Sequence, residues 1–183
     1  MLHITAGKYR GRKIFTDYNL SVRPTMGIVR EAIFNILSSQ NLIYNLNILD
    51  LFCGSGSLSF EGLSRGARHA FMVDTNYKTL QLPKKTSEIL GIEELITLIC
   101  CHAHELPQSS VKCDIVFIDP PYYTNIVELV LNTLPKSGWL QQDAVIILEV
   151  QKNQNIQYNK NMRVILERTY GMTKIIFFSI IDS

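Results

Sequence analysis

The apolar residues change period along the chain, and each change marks an element. Ile48, Leu49, Leu51 and Phe52 are apolar on both faces, as a central parallel strand requires. Cys53-Gly54-Ser55-Gly56 breaks the run, and from Ser57 the pattern is helical through Leu58, Glu61, Gly62 and Arg65 until Gly66 stops it. His69 to Val73 is a second apolar strand closed by Asp74, and a helix from Asn76 to Leu90 follows, with a kink or late start expected at Pro83. Leu95 to Cys101, Asp114 to Ile118 and Asp143 to Val150 read as three further strands. A helix from Ile126 to Leu134 turns Val127, Val130, Leu131 and Leu134 inward. Arg163 to Thr169 and Lys174 to Ile181 form a terminal antiparallel hairpin about Tyr170-Gly171, after an exposed loop over residues 151–161.

Upstream, Leu2 to Thr5 and Arg12 to Phe15 read as a short hairpin around Gly7 and Gly11. Pro24 holds Arg23 extended, Thr25 is the expected N-cap, and a helix runs from about Met26 to Ser38. Its apolar face is Ile28, Val29, Ala32, Ile33, Ile36 and Leu37, with Arg30 and Glu31 off it. Strand–helix alternation closed by a hairpin predicts an α/β fold: a seven-stranded, mostly parallel, Rossmann-like sheet with helices on both faces. Residues 1–22 form a small basic N-terminal hairpin extension and residues 23–183 the main domain.

Composition agrees with one folded unit: 183 residues, 46% hydrophobic and 19% charged. No apolar run approaches a membrane span, and Lys8, Arg10, Arg12 and Lys13 break up any signal-peptide core, so a cytoplasmic, non-membrane protein is expected. Cys53, Cys100, Cys101 and Cys113 have no C-x-x-C spacing, which predicts reduced, mostly buried thiols and no metal. Charge is uneven: residues 1–30 carry six basic groups against Asp17, so +5, and the remainder carries −3. A basic arm on a mildly acidic body is the pattern of a nucleic-acid partner, although a solvated terminal hairpin has the same composition. Tyr9, among the basic residues, either stacks on a base or packs on the body.

The candidate chemistry sits where strands end. Gly54 and Gly56 let a ligand approach the main chain, and Asp74 closes the second strand where a ribose hydroxyl would be held. Asp50 suits a cationic ligand better than a pyrophosphate, and it could equally cap a loop. Asp119-Pro120-Pro121-Tyr122 is a rigid turn outside the fourth strand. Its prolines have no N–H, so the Pro120 carbonyl and the Asp119 carboxylate present two acceptors that can grip the two hydrogens of an exocyclic amino group. Tyr122 can stack on the base.

Leu49 to Gly56 resembles the first motif of S-adenosylmethionine-dependent methyltransferases, and Asp119 to Tyr122 resembles the D-P-P-Y motif of those that methylate exocyclic amino nitrogens. Gly7-Lys8-Tyr9-Arg10-Gly11-Arg12, Arg23-Pro24-Thr25, Val29-Arg30-Glu31, Phe34-Asn35, Leu63 to Ala67 and Tyr170-Gly171 are similar to the RsmD-type ribosomal RNA methyltransferases over nearly the whole chain. The resemblance implies transfer of a methyl group from S-adenosylmethionine to the 2-amino group of a guanine in bacterial 16S ribosomal RNA, in the small subunit or an assembly intermediate, by a monomer. It implies that Asp119, Pro120, Pro121 and Tyr122 hold the guanine. It places Asp50, Phe52, Cys53, Gly54, Ser55, Gly56 and Asp74 at the cofactor. His102 and Ala103 stand at the adenine-reading position, where the family pattern has Asp or Asn in place of His102. Lys8, Arg10, Arg12, Lys13 and Arg23 would bind RNA phosphates. Ser59 replaces the third glycine of the strict dinucleotide pattern, and His104 reads as a surface residue. The alternative reading is an adenine N6-methyltransferase on DNA or RNA. A nicotinamide-dependent oxidoreductase leaves Asp119 to Tyr122 unexplained, and a non-catalytic RNA-binding module leaves that motif without a purpose.

Overall fold

The computed structural model describes residues 2–16, 24–121 and 125–181, without the side chains of residues 24–26. Arg23 and Tyr122 lie outside the described residues. In chain order the elements are β1 (Leu2–His3), β2 (Lys13–Ile14), α1 (Pro24–Ser39), β3 (Asn47–Asp50), α2 (Ser57–Ser64), β4 (His69–Asp74) and α3 (Tyr77–Leu90). There follow β5 (Ile96–Cys100), β6 (Cys113–Ile118), α4 (Ile126–Thr133), β7 (Leu140–Gln151), β8 (Met162–Tyr170) and β9 (Thr173–Ile180).

Seven of the strands form one sheet in the order β5-β4-β3-β6-β7-β9-β8. The first five are parallel, and β9 pairs antiparallel with both β7 and β8. The strand order reverses between β3 and β6, which is where an open α/β sheet leaves a crevice at its carboxyl ends. The expected seven-stranded sheet is therefore present.

Each strand alternates its side chains between two apolar layers. Ile48, Ile115, Phe117, Val145 and Ile147 pack with Phe34 of α1, Phe60 of α2 and Leu80 of α3. Leu49, Val116, Ile118, Ile146 and Leu148 pack on the other face with Val127, Val130 and Leu131 of α4. Helices thus cover both faces. Leu2, Ile4 and Ile14 of the N-terminal hairpin are buried in the first layer rather than standing off it.

Several local expectations are corrected. Helix α1 begins at Pro24, so Thr25 lies within it and is not the cap; proline is well suited to a first turn, where its missing N–H costs nothing. On α1, Ile28 is 59% exposed while Arg30 is 5% exposed, the reverse of the helical-face reading. Arg30 is drawn in because its Nη2 donates to the His3 carbonyl at 2.9 Å and its Nε lies 3.6 Å from Glu61 Oε2. Strand β3 ends at Asp50, so Leu51 and Phe52 already belong to the turn. Helix α3 runs through Pro83 from the Asn76 cap, whose side chain accepts from Lys78 N–H, to Gly91. Cys53 and Cys113 are buried, but Cys100 is exposed.

The hairpin is anchored by one buried carboxylate. Glu61 in α2 is fully buried and accepts from the Thr5 N–H at 2.8 Å, the Thr5 hydroxyl at 2.7 Å and the Ala6 N–H at 3.1 Å. Arg65 Nε donates to it at 2.9 Å. A turn further on, the Ser64 carbonyl accepts from Lys8 N–H at 2.7 Å and Ser64 Oγ accepts from Tyr9 N–H at 2.9 Å. Gly7, at φ +82°, admits this contact because a Cβ there would collide with the Ser64 carbonyl.

Candidate active site

The crevice is built from the carboxyl ends of β4, β3, β6 and β7. Chain polarity makes this possible: parallel strands deliver their last residues to one rim, and the rim here is acidic. Asp74 ends β4, Asp50 ends β3, Asp119 follows β6, and Glu149 lies near the end of β7. The order of these strands makes the four carboxyls a row.

Asp50 is the most enclosed of them, at 1% exposure. Its Oδ2 accepts from Ser59 Oγ at 2.7 Å, while its Oδ1 is buried without a hydrogen-bond partner among the described residues. Burial pushes its pKa up to about 7; the Ser59 bond opposes that rise, and the charges of Asp119 and Asp74 add to it. A carboxyl that is desolvated, half satisfied and beside other carboxyls is poised for a cation. Ser59 thus does more than fill the place of a third glycine: its hydroxyl orients Asp50.

The turn between β3 and α2 is drawn close to β4. Cys53 N–H donates to the Val73 carbonyl at 2.9 Å and Gly54 N–H to Asp74 Oδ2 at 3.3 Å. The other oxygen of Asp74 accepts from Asn76 N–H at 2.8 Å, so that carboxylate also shapes the start of α3. Gly54 has φ +52° and open space where a Cβ would stand; Gly56, at φ +75°, has none, because Phe60 and Met72 would be met at 2.9 and 3.1 Å. Gly56 is therefore a packing requirement, whereas Gly54 leaves space free beside the turn. Ser55 lies between them, and Phe52 packs in the α4-side layer.

Asp119 and Pro120 leave β6 beside this turn, with Pro120 buried and Pro121 exposed. Burial pushes Asp119 up to about 6. Glu149 is pushed up to about 8, by burial first and by the Asp119 charge second. Sequence reading missed Glu149. The signal was present, since it is the one charged residue in the otherwise apolar stretch 144–150.

His102 is exposed and Ala103 buried at the end of β5. His104, expected on the surface, is half-buried: its ring lies 5.3 Å from that of His102 and its Nε2 lies 3.4 Å from Glu105. Among the described residues no group of three His, Cys, Asp or Glu side chains is placed to hold a metal ion, and no helix is long and apolar enough to cross a membrane.

The basic residues of the hairpin are not at the crevice. Lys8, Arg10, Arg12 and Lys13 are exposed beside the far ends of α2 and α3, where Arg12 Nη2 donates to the Ile89 carbonyl at 3.2 Å. Tyr9 packs against the core layer of the body. Lys13 and Lys85 lie 5.4 and 4.5 Å from the Phe15 ring, which joins the hairpin to basic residues of α3.

A Rossmann-like sheet with a glycine turn after its first parallel strand and an acidic-proline turn at its switch point defines the methyltransferase class, and comparisons with known proteins agree. The family model described as conserved hypothetical protein 95 matches residues 2–179. Ribosomal RNA small subunit methyltransferase D of Haemophilus influenzae is 32% identical over 93% of this chain and 90% of its own length. An uncharacterized methylase of Rickettsia prowazekii is 33% identical over 96% of both chains. The solved Escherichia coli protein yhhF, a candidate methyltransferase, superposes with a TM-score of 0.87 at 28% identity over 100% of this chain and 99% of that one. The chain belongs to the ribosomal RNA small subunit methyltransferase D family.

Proposed function

We propose that this protein transfers a methyl group from S-adenosylmethionine to the 2-amino group of a guanine in 16S ribosomal RNA, within the small subunit or an assembly intermediate. Family membership supports the reaction class, and the buried Asp50 at the crevice supports the ligand. The unpartnered Asp50 Oδ1 suits the positively charged methionine end of that cofactor, and the open side of Gly54 leaves room for it. Gly54, Ser55 and Gly56 with Asp50, Phe52 and Cys53 would hold the methionine end, Asp74 the ribose, and His102 and Ala103 the adenine. The cofactor supplies the methyl on an electrophilic sulfonium.

The chain's own contribution is positioning and electrostatics. The Asp119 carboxylate and the Pro120 carbonyl accept the two amino hydrogens and aim the nitrogen lone pair at the methyl, on a turn kept rigid by Pro120 and Pro121. Tyr122 stacks on the base once it is drawn from its helix. Lys8, Arg10, Arg12, Lys13 and Arg23 hold phosphates. The hairpin tip sits beside the far end of α2, about 12 Å of helix from the glycine turn, so RNA must lie along the side of the domain as well as across the crevice.

The carrying observation is the Asp119-Pro120 turn facing the crevice in a chain of this family. The test is transfer of labelled methyl to unmodified small-subunit particles followed by nucleoside analysis. Label in N2-methylguanosine is the expected result. Label in N6-methyladenosine would overturn the base assignment while keeping the amino-group chemistry.

A further inference from the structure

The reaction as proposed assigns acceptors to the 2-amino group and none to the rest of the guanine edge. Glu149 lies where such an acceptor is needed. In the β6–β7 pairing, Phe117 is opposite Ile147 and Ile118 opposite Leu148, so the next step brings Asp119 level with Glu149. Phe117 and Ile147 share the first apolar layer; the alternation along β7 turns Glu149 to that face, and Asp119, one residue past the end of β6, is near enough for its charge to act on Glu149. Asp50, two residues beyond Ile48 of the same layer, faces the same way from β3. Neighbouring strands are about 4.8 Å apart. Two carboxyls at matched level on adjacent strands can therefore both reach the edge of a single purine.

We propose that Glu149 is a base-selecting residue: its carboxyl accepts the N1–H of the target guanine while Asp119 and Pro120 hold the neighbouring 2-amino group. The inference rests on the guanine N2 reading above. Guanine presents N1–H beside its 2-amino group, a run of donors matched by acceptors on β6 and β7. When the amino group held is the 6-amino group of adenine, the adjacent N1 is a bare acceptor beside an apolar C2–H, so the carboxyl can make one hydrogen bond there in place of the two that guanine offers. Burial beside Asp119 favours the neutral acid of Glu149. In that form the carbonyl oxygen accepts N1–H and the acid O–H donates to O6, so both remaining polar atoms of the edge are satisfied without a second anion beside Asp119.

The test compares two substrates. The modified position is first located from the wild-type product. Small-subunit particles are then reassembled on RNA carrying either guanine or 2-aminopurine there; 2-aminopurine keeps the 2-amino group but lacks N1–H and O6. Wild type should favour guanine by about 10–100-fold. Glu149→Ala should lose that preference by slowing on guanine alone. Glu149→Gln, whose amide offers the same acceptor and donor as the neutral acid, should keep most of it. Calorimetric S-adenosylmethionine affinity should be unchanged in both variants. Equal losses on the two bases, or an unchanged preference in Glu149→Ala, would overturn the proposal. If wild-type label fails to appear in N2-methylguanosine, the reaction assignment fails first and the proposal falls with it.

Discussion

Ser59 donates its hydroxyl to Asp50 Oδ2 at 2.7 Å and leaves Oδ1 buried with no partner among the described residues. That single bond fixes the orientation of a carboxyl whose pKa lies near 7, and its other oxygen is free for a cation. With its pKa pushed up to about 7, Asp50 of the ligand-free protein is expected to be partly protonated near neutral pH. A cationic ligand draws its pKa down, so binding S-adenosylmethionine should release a fraction of a proton near pH 7, and less as the pH rises above the Asp50 value. Calorimetric titration in buffers of different ionisation heat measures this directly. Asp50→Asn should abolish the release, and an unchanged release in that variant would assign the proton elsewhere.

In the proposed chemistry Asp119 must be ionised to accept an amino hydrogen strongly. Its pKa is pushed up to about 6, so kcat/KM should fall about tenfold per unit of pH below that value. Asp119→Asn keeps one acceptor oxygen and loses the charge, with an expected cost of about 100-fold in kcat. Asp119→Ala should cost more, with cofactor affinity retained. Persistent turnover in Asp119→Ala would remove the residue from the proposed chemistry.

The acidic rim should also appear in the stability of the ligand-free protein. Asp50, Asp119 and Glu149 all have folded pKa values above the ordinary ones. Below about pH 3 these carboxyls are protonated in both states, and burying them costs little. As pH rises the unfolded chain ionises first, so stability is lost progressively until the folded values, the highest about 8, have been passed. From these groups, the Tm of the ligand-free protein should drop by several degrees between pH 5 and pH 8. Asp50→Asn should flatten that drop, and a steeper drop in the variant would contradict the sign.

Glu61 ties the hairpin to α2. Glu61→Ala strands Arg30, which is 5% exposed, as a buried charge without its carboxylate, and it frees the Thr5 and Ala6 amides. Breaking such a buried pair costs about 3–5 kcal/mol, which in a domain of this size lowers Tm by on the order of 10 °C. A calorimetric scan checks it, with Glu61→Gln expected between the two because its amide oxygen still accepts from Thr5.

Replacing Lys8, Arg10, Arg12 and Lys13 by Ala should lower the slope of log affinity against log salt for RNA by up to about 3. Their distance from the crevice means that S-adenosylmethionine binding should not change. A salt slope equal to wild type would show that the hairpin serves only as a brace.

Much of this molecule is written locally. The alternation of buried strands with helices is enough to dictate a parallel sheet, because only a crossover helix returns the chain to start a parallel neighbour. The turns at Gly54-Ser55-Gly56 and Asp119-Pro120 are equally local, since glycine and proline restrict or free the backbone wherever they stand. Tertiary structure decided what depends on residues far apart in sequence. Arg30 reads as a solvent-facing charge on its helix and is buried because His3 and Glu61 arrive beside it. Glu149 reads as a stray acid in an apolar strand and becomes part of the site because β7 pairs with β6, at the level of Asp119. A carboxyl's neighbours on adjacent strands are set by sheet order and register, and neither is encoded in the period of a single strand.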